Sequence, residues 1–205
     1  MILDISQPLK NGVPVWPGDT EFTFDLTLTL AESGSVNVGR LTMSTHTGTH
    51  ADAPFHFRDD GTRVGMLDPE AFIGPARVIE AREESIGAEE LGWHDLDGIE
   101  RLLVKTGSWL DRTVFPGRIS YFRPDAGQFL AEKGIRLVGV DTPSVDPLDS
   151  KDLPAHEALR SGGIHILEGL VLDKVEPGDY ELIALPLALE EADASPVRAV
   201  LRTTP

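Results

Sequence analysis

Three histidines and an aspartate stand within eleven residues, at His46, His50, Asp52 and His56. The backbone that carries them is restricted. On an extended chain all four side chains project to one face. At ~3.3 Å per residue such a chain holds His46 and His50 about 13 Å apart, whereas two ligands of one ion lie within ~2 Å of it. The chain must fold back between them to serve one ion, and Gly48 offers that freedom. Pro54 fixes the backbone beyond Asp52 and excludes a central paired strand. The same glycine and proline argue against a helical H-x-x-x-H pair. The expected picture is a strand end that breaks into a tight, rigid loop, a common carrier of functional groups. The segment holds three of the chain's six histidines, which weighs against unrelated polar loop residues.

The chain has 205 residues, enough for one sizeable core and short for two ordinary domains, so 1–205 is read as one domain. Its hydrophobic fraction of 40% and charged fraction of 25% suit a globular protein. With 18 basic and 34 acidic residues the net charge is −16, which argues against nucleic acid and anionic membranes as partners. There is no cysteine, so any tightly bound metal must use His, Asp or Glu. The first residues lack a signal-peptide pattern and no run nears the ~18 apolar residues of a membrane span. The cytoplasm is the expected location.

Scattered glycine and proline punctuate short elements. Residues 21–30 alternate apolar and polar, which predicts a strand with one buried face. Further strands are expected at 40–45, 76–81, 101–106, 136–140, 164–172 and 180–185. Helices are expected at 125–133, stopped by Gly134, and at 152–160, with Asp152 as cap, Pro154 in the first turn and Gly162-Gly163 as exit. The fold class is therefore α/β, with more strand than helix.

Two further candidates lie downstream. His156 sits at the start of the second helix. Glu168 interrupts an apolar strand, and alternation places it on the side of Ile164, Ile166 and Leu170. A carboxylate there is costly unless paired, hydrogen-bonded or metal-bound. His165 falls on the opposite face and His94 in a loop, and both are read as structural. Trp16, between Pro14 and Pro17-Gly18, is either a pocket wall or packed at the domain edge.

The segment Ser44-Thr-His-Thr-Gly-Thr-His-Ala-Asp-Ala-Pro-Phe-His56 resembles H-x-G-T-H-x-D-x-P-x-H, the signature of the metal-dependent cyclase hydrolases. Val15-Trp-Pro-Gly-Asp19, Leu103-Val-Lys-Thr-Gly-Ser-Trp109, Gly139-Val-Asp-Thr-Pro-Ser-Val-Asp146 and Ile166-Leu-Glu-Gly-Leu170 are similar to the bacterial kynurenine formamidase branch, as is the stretch from Leu185 to Ala199. The resemblance covers nearly the whole chain. It implies a strand-rich swivelling β/β/α fold, a homodimer, and hydrolysis of N-formyl-L-kynurenine to L-kynurenine and formate in tryptophan degradation. It also implies two Zn2+ per subunit, with Mn2+ or Co2+ as alternatives for N/O ligands. The implied ligands are His46, His50, Asp52, His156 and Glu168, with Asp52 and Glu168 bridging. His56 would be the acid/base, and Trp16 would contact the substrate.

These residue types suit amide hydrolysis. A divalent cation lowers the pKa of bound water to ~7. Carboxylates can span two ions, and neutral imidazoles complete the shells without adding charge. The aromatic amine that leaves needs a proton, which a histidine outside the ligand set can deliver. A related hydrolase of cyclic amides such as isatin, and a metal-binding module without catalysis, are the other readings of the same signature.

Overall fold

The apolar runs form the middle of a mixed nine-stranded sheet in the computed structural model, which describes residues 1–203. The strand order is β1 (Ile2–Asp4), β13 (Val200–Thr203), β11 (Gly178–Ile183), β5 (Ile73–Glu80), β7 (Arg101–Lys105), β9 (Leu137–Val140), β10 (His165–Glu168), β4 (His50–Asp52) and β12 (Ala194–Pro196). β5, β7, β9 and β10 run parallel, and the other neighbours pair antiparallel.

Parallel strands are covered on both faces, which explains their near-continuous apolar sequences. Leu102 and Val104 enter one core while Leu103, between them, enters the other. The first core is shared with the helices α2 (Ala88–Leu91), α3 (Pro124–Glu132) and α4 (Pro154–Ser161) through Leu91, Leu130 and Leu159. The second gathers Phe72, Leu137, Leu167, Leu182 and Leu201. Each leucine buried in this way contributes about 1.5–3 kcal/mol of transfer free energy.

The two longer helices lie where expected. Gly134, at φ +81°, and Gly163, at φ +70°, provide the left-handed exits. Asp152 is not the cap of α4. Leu153 holds that position in the left-handed region, and the Asp146 carboxylate accepts from the first-turn amides of Ala155 and His156. The strand expected to reach residue 172 stops at Glu168, because Gly169 turns the chain at φ +65°. Leu170 consequently joins the core opposite to that of Ile164 and Ile166.

The alternating stretch forms β2 (Thr23–Leu28), which pairs with β3 (Val38–Thr42) across the short helix α1 (Leu30–Ser33). Its apolar face is not buried: Phe24, Leu26 and Leu41 are 47%, 47% and 60% exposed. The hairpin stands outside the main sheet, and among the described residues that face stays largely exposed. β6 (Ser85–Ile86) and β8 (Tyr121–Phe122) form a second small ladder. No helix among the described residues is long and apolar enough to cross a membrane.

Candidate metal centre

The histidine segment is organised by one reversal and one strand. Gly48 adopts φ +71°, folding the chain back between His46 and His50 as the spacing requires. The chain then enters β4, a paired strand between β10 and β12, rather than continuing as a loop. Pro54 lies past the end of that strand, at the start of the 3-10 turn Pro54–His56, so it interrupts no pairing. Gly169 allows the two turns to meet: a Cβ there would lie 2.2 Å from the Gly48 carbonyl oxygen.

Register brings the distant residues together. His50 pairs directly with Glu168 and Asp52 with Ile166 across β4 and β10. Directly opposed residues share a face, so His50, Asp52 and Glu168 project into one space. α4 supplies His156 from its first turn. Asp52 and Glu168 each divide their oxygens between two sets of histidines. Asp52 Oδ1 lies 3.1 Å from His46 Nδ1 and 3.4 Å from His50 Nε2, while its Oδ2 lies 3.4 Å from His156 Nε2. Glu168 Oε2 is 3.5 Å from His50 Nε2, and its Oε1 is 3.5 Å from His156 Nε2.

This cluster forms the floor of a cleft of about 300 Å³ walled by Trp16, Trp109, Phe115, Pro143 and Pro147. The Trp16 ring meets Phe115 edge-on, with centroids 5.3 Å apart. A tight turn fixes Trp16, with the Asp19 amide donating to the Trp16 carbonyl at 2.9 Å and Gly18 at φ +90°. Trp16 is thus a cleft wall rather than a tryptophan packed at an edge. His165 lies away from the cleft against Phe72, at a centroid distance of 5.2 Å.

Residues 3–147 match the model of the family described as "Putative cyclase". The chain belongs to the cyclase family. It is 60% identical over 201 residues to a protein of Geobacillus thermodenitrificans named kynurenine formamidase, covering 98% of this chain and 96% of that one. A solved structure described as a potential metal-dependent hydrolase with cyclase activity is 29% identical, with a TM-score of 0.86 over 100% of this chain and 99% of that one. Isatin hydrolase A from Labrenzia aggregata is 26% identical, with a TM-score of 0.83 over 98% and 93% of the two chains.

The donor set of this cyclase-family chain fits a divalent cation. His50 Nε2 and both oxygens of Asp52 are buried without a hydrogen-bond partner, and buried polar atoms left unpaired are costly. All are nitrogen or carboxylate-oxygen donors, and they face one another. The electrostatics agree. Burial opposes charge on His46, yet the hydrogen bond to Asp193 and the adjacent Asp52 carboxylate outweigh it and raise the pKa to about 9. Burial likewise opposes charge on His50 and His156, but the carboxylates around each raise both to about 10. Burial raises Glu168, and the neighbouring Asp52 charge adds to that. Burial would also raise Asp52, but the close imidazoles of His156, His46 and His50 bring it well below the usual range. The space between the carboxylates favours positive charge.

Each of the three histidines also has its second nitrogen engaged. His156 Nδ1 meets Asp146 Oδ2 at 2.6 Å, His50 Nδ1 meets the Gly48 carbonyl at 3.0 Å, and His46 Nε2 meets Asp193 Oδ2 at 3.1 Å. Such partners fix ring orientation and tautomer. Sequence reasoning did not single out Asp146 or Asp193. Asp146 had a signal, since it follows β9 in the crevice beyond the carboxyl end of a parallel strand. Asp193, in an acidic stretch, had none.

His56 differs from the other three. Its Nδ1 is 3.8 Å from Asp193 Oδ2, beyond hydrogen-bond length. Burial lowers its pKa to about 4, so it is neutral near pH 7. Its ring centroid lies 4.0 Å from that of His46, at the edge of the cluster and on the cleft.

Proposed function

We propose that the chain hydrolyses N-formyl-L-kynurenine to L-kynurenine and formate, a step of tryptophan degradation, with two zinc ions bound by His46, His50, Asp52, His156 and Glu168. The observation that carries this reading is the division of oxygens. Asp52 and Glu168 each offer one oxygen toward His50 and the other toward His156, as carboxylates shared by two cations do. The 60% identity to a kynurenine formamidase supports the substrate.

Bound divalent cations supply a strengthened water nucleophile at neutral pH and polarise the formyl oxygen. The chain's own residues do the rest. The walls of Trp16 and Phe115 hold the aryl ring by stacking and edge contacts. They also exclude water around the floor, which strengthens the electrostatics there. His56, neutral and unengaged, takes the proton released by the attacking water on a ring nitrogen. It then passes that proton to the aniline nitrogen as the C–N bond breaks.

The domain is taken as 1–205 and the assembly as a homodimer. The uncovered apolar face of the β2–β3 hairpin supports the dimer, because a second copy would bury Phe24, Leu26 and Leu41. The test is a comparison of N-formylkynurenine and isatin as substrates for zinc-loaded and chelator-stripped protein. Turnover of the formamide only in the loaded form is expected. Turnover of isatin alone, or no metal dependence, overturns the reading.

A further inference from the structure

One carboxylate at the rim of the cluster is hydrogen-bonded to one of its histidines from outside and lies near a second. Asp193 Oδ2 lies 3.1 Å from His46 Nε2 and 3.8 Å from His56 Nδ1. Its other oxygen accepts from Thr45 Oγ1 at 2.8 Å, and its backbone carbonyl accepts from the Ala53 amide at 2.9 Å. Thr45 and Ala53 flank the segment from His46 to Asp52, so Asp193 is tied to both ends of the loop and strand that carry the first three donors.

His46 has more need of such a tie than its neighbours. Its side chain is 18% exposed, against 3% for His50 and for His156, so packing alone constrains the ring less. An imidazole that donates from Nε2 to a carboxylate keeps a lone pair on Nδ1. Nδ1 is the atom that faces Asp52 Oδ1. A ring flip would put carbon atoms where the two nitrogens stand and lose both contacts.

We propose that Asp193 is a positioning residue that fixes the tautomer and orientation of His46 for metal binding. The proposal rests on the ligand assignment above.

The experiment is zinc competition against a chromophoric chelator, using full-length wild type, Asp193→Ala, Asp193→Asn and His46→Ala. Asp193→Ala is expected to weaken one of the two zinc ions by ~10–100-fold and leave the other unchanged, with two zinc ions still bound at saturation. Asp193→Asn, whose amide oxygen can still accept from Nε2, is expected to lose less. Unchanged affinities in Asp193→Ala overturn the proposal. Loss of one zinc even at saturation also overturns it, by making Asp193 a direct ligand. A fall at both ions, with a lower melting temperature of the metal-free protein, overturns it in favour of a general brace for the loop. If His46→Ala keeps both zinc ions, the ligand assignment itself fails, which is a result separate from any outcome at Asp193.

Discussion

Glu168 and His50 are directly paired residues of neighbouring antiparallel strands, and His50 Nε2 stands 3.5 Å from Glu168 Oε2. The pairing of β4 with β10 therefore builds the centre of the site, and the carboxylate matters to both halves of it. Glu168→Gln keeps the shape but replaces one oxygen with an N–H donor. Zinc affinity should fall at both ions by more than the ~10–100-fold that outer partners cost, with turnover lost. The metal-free protein should stay folded, because a buried neutral amide costs less than a buried charge. Chelator competition and thermal melting check this, and unaltered zinc binding would contradict it.

His56→Ala should lower kcat by ~10²–10⁴-fold, the usual range for a positioned proton-transfer group. Both metals should remain bound, since His56 stands apart from the Asp52–Glu168 pair. Metal analysis beside the rate measurement decides the matter. A lost metal would make His56 a ligand.

Trp16→Ala should act on substrate binding. Aromatic contacts are worth about 0.5–1.5 kcal/mol beyond area, so KM for the aryl formamide should rise about 2- to 10-fold with kcat less affected. Steady-state kinetics measures the split. An equal fall in kcat and kcat/KM would place Trp16 in the transition state instead.

His165 provides a pH signature away from the metal centre. Burial against Phe72 lowers its pKa below 6.5, and the Arg136 charge adds to this. The unfolded chain then binds the proton more readily than the folded one. The contribution to stability is present above about pH 6.5 and lost as pH falls through the folded value. Wild type should be less stable at about pH 5 than at about pH 7, and His165→Leu should show a shallower dependence. Denaturant unfolding at the two pH values tests this, and an unchanged slope would refute it.

Leu26→Asp on the exposed hairpin face should yield a monomer where wild type is a dimer, because a charge would replace buried apolar contact. Sedimentation at matched concentrations tests it. A monomeric wild type at micromolar concentration would remove the proposed role of the hairpin.

Local chemistry made much of this molecule legible. The parallel strands announced themselves as apolar runs, α3 by Gly past its end, and α4 by Pro at the start and Gly past the end. The reversal at Gly48 followed from the distance that two ligands of one ion require. Other elements were hidden for physical reasons. β4 and β12 are three residues each, too short to display a period, and they exist as strands because neighbours supply their hydrogen bonds. The β2–β3 face has a core-like pattern, and alternation cannot say which surface covers it.

The residues of 46–56, with their reversal, carry the chemistry of nitrogen and carboxylate donors, and those types and spacings belong to the sequence. The pairing that sets Glu168 opposite His50 was decided by tertiary structure, as was the delivery of His156 by α4 and the approach of Asp193 to His46. The reason is range. Spacing and φ preference act over a few residues, whereas contacts between positions 147 residues apart depend on strand order and register, which no local pattern encodes.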